Sequence, residues 1–300
     1  MRHKLERNIF QIILDFIIAV FLYCFYAISN IIPMFVSRVV FATIAVILCP
    51  FVSQTYLINR NLKMAMPELN FFQRLKTIVG IWVDLGLFFG EYFYTYRMSK
   101  EKISKMFKVN IDVDALNNNK KGQLFVSGHF ANWEMALAYV SYYVDKKINV
   151  VFRKSNNQFI EKIIVENFRK KHPNINIIAK QDNAGLKIAR ALKNGEIVII
   201  LIDQNDRRNG ILVDFFNIPA YTSATSYVFY KKFDIDVYYF YALRQKNNIF
   251  KFYIDGEKIE FEKEKITQND FLYKINKKLE TTVRKSPWQW FWVHDRWKKK

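Results

Sequence analysis

Residues 121–136 read KGQLFVSGHFANWEMA. The apolar run LFVS (124–127) predicts a short strand, and a helix is expected to begin near Asn132, an amide side chain suited to an N-cap. Ser127 to Glu134 therefore fall where a buried strand turns into a helix, a place where side chains emerge at the end of a sheet. Outward from this point the pattern repeats. NVVF (149–152) precedes an amphipathic segment, Phe159 to Lys170, and NINII (174–178) reads as another short strand. Asp182 is placed to cap a helix through Leu192, which Asn194 and Gly195 end. EIVIILID (196–203) is continuously apolar, as strands buried on both faces are. VYYFYAL (237–243), IFKFYI (249–254) and a helix from Gln268 to Val283 complete the series. Alternating strands and helices predict an α/β fold with a mixed central sheet flanked by helices.

Before this core the chain is of another kind. Ile9 to Ile32 is long and apolar enough to cross a hydrocarbon core of about 30 Å, at about 20 residues per span. It is expected to be a membrane-associated helix rather than a cleaved signal, since no A-x-A site follows. A second run, Val39 to Cys49, stops at Pro50 and reads as an interfacial or docking helix. Arg2, Lys4 and Arg7 precede the first run and Arg38, Arg60 and Lys63 follow it, so positive charge does not orient it, and a helix lying in one leaflet fits as well. After Pro67, Leu75, Ile78, Val79, Trp82, Leu85 and Phe89 fall at helical spacing. The expected organisation is a membrane anchor over 1–33, a helical N-terminal region over 34–122 and an α/β catalytic core over 123–300.

Charge narrows the partners. Residues 1–60 supply +3 of the formal +19, leaving +16 on the rest of the chain. Such a field favours anionic partners: an acidic carrier protein, an anionic lipid surface or nucleic acid. Nucleic acid fits least, because the aromatic residues sit in apolar runs with no RNP-like motif or zinc spacing. Cys24 and Cys49 give no disulfide framework, and no metal-ligand spacing occurs. Within SGHFANWE, His129 and Glu134 can meet if the first sits in the bend and the second in the first helical turn. That pair suits a histidine base oriented by a carboxylate, the arrangement that activates a hydroxyl. About 0.4 such pairs arise by chance in a chain of this composition, so the spacing needs its context.

That context comes from a resemblance. KGQLFVSGHFANWEMA resembles the His-x4-Glu block of the lauroyl/myristoyl late acyltransferases of lipid A biosynthesis. RNLKMAMPEL, with the helix carrying Gly86 and Glu91, resembles their N-terminal signature, and FRKSNNQFIEKIIVENFRK their second block. ALKNGEIVIILIDQN with GILVDFFNIPAYTS resembles the third, and SPWQWFWVHDRWK the last. The blocks run in order over residues 60–298. The resemblance implies transfer of a fatty acyl group from acyl carrier protein to a hydroxyl of an anionic lipid A precursor, at a bacterial inner membrane with the catalytic domain facing the cytoplasm. It implies His129 as general base, Glu134 as its orienting carboxylate, Arg153 as a phosphate or thioester ligand, and Asp203 and Gln204 as shapers of the acceptor site, with no metal and no cofactor. Two departures stand out. Glycerol-phosphate acyltransferases have Asp where Glu134 stands, and Asp295 sits where the lipid A family is often basic. A different membrane acceptor, or an inactive basic membrane-binding protein, are the competing readings. Trp288, Trp290 and Trp292 alternate, which predicts one side of a strand, in the core or in an interfacial belt.

Overall fold

The computed structural model of the protein describes residues 9–95, 97–154 and 174–299, with Asn157, Glu161 and His172 between them. The segment Phe159 to Lys170, apart from Glu161, and the basic group Arg169, Lys170 and Lys171 lie outside the described residues, as does most of the second family-like block. The N-terminal third is helical: α1 (Ile9–Ile28), α2 (Met34–Leu48), α3 (Ser53–Ala65) and α4 (Phe71–Thr95). Pro33 precedes α2, and a 3-10 turn at Cys49–Phe51, carrying Pro50, ends it. Asn70 and Gln73 start α4 with a reciprocal capping box: each backbone N–H donates to the other's side-chain oxygen, at 3.0 and 2.9 Å.

α2 runs antiparallel to α4 in close contact. A Cβ on Gly86 would stand 2.4 Å from Ala42 Cα, and one on Gly90 would stand 2.8 Å from Ser37 O. The two glycines lie four residues apart on one helix face, the small-residue spacing that lets backbones touch. The run read as a docking helix thus does dock. The stripe on α4 divides, however: Ile78 and Leu85 are buried, whereas Leu75, Val79 and Phe89 are exposed.

Downstream come α5 (Lys100–Ser104), β1 (Phe107–Asn110), α6 (Val113–Asn118), β2 (Gly122–Ser127), α7 (Trp133–Tyr143), β3 (Ile148–Phe152) and β4 (Ile175–Ala179). They are followed by α8 (Ala184–Lys193), β5 (Ile197–Leu201), β6 (Ile211–Phe215), β7 (Ile218–Thr222), α9 (Thr225–Lys232), β8 (Ile235–Gln245), β9 (Asn248–Lys258) and α10 (Gln268–Lys285). Among the described residues seven strands form the main sheet, in the order β1-β9-β8-β2-β5-β3-β4. All neighbours pair parallel except β8 and β9. The fold is α/β with a mixed central sheet. All six residues of the central strand β2 are buried. Leu124 and Val126 meet helices α8, α9 and α10 on one face, while Phe125 meets α6 and α7 on the other. β1, from the stretch read as a helical region, closes one edge of the sheet.

Two local expectations change, and one unexpected turn appears. Asp182 does not cap α8; Asn183 holds the N-cap position at φ 52°, and Asp182 pairs with Lys154 at 2.6 Å. The β6–β7 hairpin turns on Phe216 and Asn217, both left-handed at φ 56° and 57°, as a two-residue type I′ loop requires. Phe216 tolerates this because it is buried and its N–H donates to Glu280 Oε1 at 2.7 Å. The tryptophan-rich tail is not a strand. A 3-10 turn at Pro287–Gln289 leads to one bridge between Trp290 and Phe130, and Trp290 and Trp292 pack in the core rather than at an interface.

Gly86→Ala should force α2 off α4 and cost about 1–3 kcal/mol, read as a lower Tm in detergent. Gly185→Ala, on α8 with open space around its new methyl, should be neutral or stabilise by up to about 1 kcal/mol.

Candidate active site

The bend after β2 is held from several sides. Ser127 Oγ donates to Phe240 O at 2.7 Å. Ala131, left-handed at φ 43°, donates its N–H to Gln289 O at 2.8 Å, and His129 O accepts from Phe291 N–H at 3.1 Å. Asn132 caps α7, its Oδ1 accepting from Met135 N–H at 2.9 Å, while its Nδ2 donates to Glu91 Oε2 at 2.8 Å.

Glu91 belongs to a buried ion cluster. Arg244 on β8 donates to both its oxygens at 2.8 and 3.0 Å, and Arg38 on α2 donates to Oε1 at 2.8 Å. Arg244 Nε also reaches Asp84 at 2.5 Å. Burial lifts Asp84 to about 6 against the pull of Arg244. Burial also pushes Glu91 upward, but two guanidinium groups outweigh it and leave its carboxyl below the usual range.

His129 is engaged by Asp203, just past the end of β5. Asp203 Oδ1 lies 2.7 Å from His129 Nδ1, and Oδ2 accepts from the His129 N–H and the Trp290 Nε1–H, both at 2.8 Å. Asp203 is 2% exposed. Burial pushes its carboxyl up, but the His129 ring and these donors outweigh burial and hold it at about 2. An ionised carboxylate only accepts, so in the neutral ring Nδ1 carries the proton and the Nε2 lone pair is left for substrate. The carboxylate that meets Nδ1 is therefore Asp203, 74 residues downstream of the histidine.

Glu134 is buried in the first turn of α7 and lines the same cavity as His129. The cavity measures about 280 Å³. Its polar wall includes Arg153, Lys180 and Gln204, and its apolar wall runs between α7 and the sheet through Leu137, Val140, Val150, Ile199 and Phe240. Trp133 stands edge-on to His129 at 4.8 Å and stacks on Phe88 of α4 at 4.4 Å. Arg153 is exposed and makes no ion pair among the described residues. The residues singled out in the sequence therefore converge: His129, Glu134, Arg153 and Gln204 line one cavity, with Asp203 behind the histidine.

The sequence reading missed Lys180, Trp133 and the role of Trp290. It also missed His294, whose Nε2 accepts from Asn205 N–H at 2.9 Å and whose burial disfavours the charged ring. Among the described residues no group of three His, Cys, Asp or Glu side chains is placed to hold a metal. A histidine backed by a carboxylate, beside basic side chains and over an apolar slot, can deprotonate a hydroxyl next to a seated hydrocarbon chain.

The sequence model of the family described as bacterial lipid A biosynthesis acyltransferase matches residues 3–299. The chain belongs to that family. No curated protein matches the sequence. This lipid A biosynthesis acyltransferase thus presents a histidine–carboxylate pair beside an apolar cavity.

Asp203 yields a prediction with a definite sign. Its folded pKa lies below the ordinary 3.8. Its stabilisation is therefore complete above the unfolded value and is lost as pH falls through about 2. Asp203→Asn should be less stable than the parent at pH 5 by on the order of 2 kcal/mol, and the gap should close as pH falls from 4 to 2. Denaturant unfolding of both proteins across that range checks it.

Proposed function

We propose that this acyltransferase moves a fatty acyl group from acyl carrier protein to a hydroxyl of a lipid A precursor, on the cytoplasmic side of the inner membrane. The observation that carries the reading is the His129–Asp203 pair at the edge of an apolar cavity. His129 Nε2 takes the proton of the acceptor hydroxyl as its oxygen attacks the thioester carbonyl carbon. A C–O bond forms, the C–S bond breaks, and the leaving thiolate recovers the proton from Nε2. Asp203 orients the ring and stabilises the imidazolium while it lasts. The Glu134 carboxyl lies on the same cavity wall and supports that charge. Arg153 and Lys180 offer cations to the thioester oxyanion or to an acceptor phosphate.

The acidic carrier as donor is supported by the +19 balance of the chain. The adjacent lysines Lys277 and Lys278 on α10, a basic pair suited to docking an acidic carrier, are largely occupied. Lys277 bonds Glu280 at 2.9 Å and Lys278 bonds Glu257 at 2.6 Å. Electrostatic docking would then rest on other basic residues.

His129→Ala should lower kcat by about 10²–10⁴-fold with the protein still folded in detergent. Asp203→Asn should lose a similar factor, because an amide no longer fixes the proton on Nδ1, and Glu134→Gln should also be impaired. Near-parental turnover by the purified His129→Ala protein, with a lipid A precursor as acceptor, would remove the mechanism.

A second measurement addresses the donor. Carrier-protein thioesters should exceed coenzyme A thioesters in kcat/KM at low salt. That advantage should shrink as ionic strength rises and the screening length falls below about 8 Å. Equal values at low salt would remove the docking idea and leave the acyl transfer in place.

A further inference from the structure

The apolar helix α1 is long enough to cross a membrane, yet it does not stand free of the domain. Its half-buried and buried positions are Asp15, Ala19, Leu22, Phe25 and Tyr26, with buried Ser29 just past its end, and the described residues between them are exposed. Asp15, Ala19, Leu22, Tyr26 and Ser29 are spaced 4, 3, 4 and 3 residues apart, which puts them on one face of a helix. That face lies against the folded domain. Asp15 O accepts from Asn157 Nδ2 at 2.9 Å. Tyr26 packs on Phe93 of α4 at 6.0 Å, and Arg97 donates to Ser29 O at 3.0 Å. The contact runs along about 21 Å of helix at ~1.5 Å per residue. Only Ile9 to Leu14 of the apolar run precede it. If α1 crossed a hydrocarbon core of about 30 Å, the polar flank of the domain would be drawn most of the way through it.

The remaining exposed apolar surface continues from α1 without a break in character. Val36, Val39, Val40, Ile44, Ile47 and Leu48 are exposed on α2. Beyond the end of α2 stand Phe51 at 83%, Tyr56 at 76% and Phe72 at 78% exposure, with Phe71, Leu75 and Val79 beside them on α4. Trp82 Nε1 donates to Thr55 at 3.1 Å and Arg74 to Asn59 at 2.9 Å, which sets α3 and its Tyr56 alongside this part of α4. Lys63 and Lys76, exposed and without an ion pair among the described residues, flank the aromatic cluster. An apolar face with aromatic side chains at its end and cations at its side is the composition of a surface that sits in an anionic lipid interface.

We propose that the protein is monotopic: α1, α2 and the N-terminal half of α4 form one face that sinks into a single anionic leaflet, and α1 does not cross the bilayer. The same α4 carries Phe88 against Trp133, and Asn157, four residues after Arg153, bonds α1. The cavity holding His129 therefore opens beside this face, where a lipid acceptor can reach it without leaving the leaflet.

The full-length protein, tagged at both ends, is reconstituted in phosphatidylethanolamine–phosphatidylglycerol vesicles and exposed to external protease. Monotopic seating yields a product lacking both tags. A spanning α1 yields products lacking one tag each and overturns the proposal. In a Cys24→Ala, Cys49→Ala background, nitroxides on Phe72→Cys, Tyr56→Cys and Val228→Cys then report depth. Labels at 56 and 72 should be reached by oxygen and shielded from a water-soluble nickel complex, with the label at 228 on α9 the reverse. A label at 72 that behaves like the one at 228 overturns the shared face. Spin–spin broadening at 72 without a gain in oxygen access also overturns it, and assigns the face to a second copy of the chain. Neither readout uses activity, so failure here is distinguishable from failure of the proposed reaction.

Discussion

Arg244 and Glu91 form the contact on which the placement of everything else depends. Both side chains are 0% exposed, and each meets two partners of opposite charge within the cluster. Two guanidinium groups and two carboxyls balance, so no net charge is left in the core. Removing one member of such a cluster typically costs about 3–5 kcal/mol, because the others are left buried and uncompensated. The cluster joins α2, α4 and β8, and through Asn132 it reaches the cap of α7. Gln289 brackets the Arg244 backbone from the tail, accepting from its N–H at 2.6 Å, and gives its own carbonyl to Ala131. The bend that carries His129 is thus suspended between an ion cluster and a tail that share one glutamine.

The sheet was legible where strands were continuously apolar. LFVS, NVVF and EIVIILID each proved to be central parallel strands, because burial on both faces leaves no room for polar alternation. The edge strand β1 and the β6–β7 hairpin were not legible. β1 is four residues, FKVN, and takes its identity from pairing with β9 rather than from its own pattern. The β6–β7 hairpin turns on Phe-Asn, a pair that local turn chemistry would not select and that a distant glutamate makes tolerable. The apolar stripe of α4 misled for a related reason. Periodicity marks a face that avoids water, and cannot say whether protein or lipid covers it.

The site was legible by residue more than by role. His129 could be singled out because it stands in a strand-to-helix bend. Its partner could not be read from spacing, since Glu134 and Asp203 are both plausible carboxyls and only the pairing of β2 with β5 decides which meets Nδ1. That pairing sets Ser127 beside Leu201, so the residues two places beyond each strand end arrive together. Lys180 is invisible for the same reason: it follows β4, two strands away, and enters the cavity wall through sheet order alone. Trp290 looked like packing, and it is packing, but its one polar atom is spent on the Asp203 carboxylate.

That tryptophan has a consequence for when the protein becomes competent. The imidazole, its carboxylate and the strands beneath them are all synthesised well before residues 286–297, which supply the indole donor, the glutamine bracket and the bridge to Phe130. A chain still being made has already completed its apolar helices, since those come first. Its His129 and Asp203 would meet without the groups that fix them. Ordering of the bend that carries His129 therefore waits for synthesis to pass Trp290.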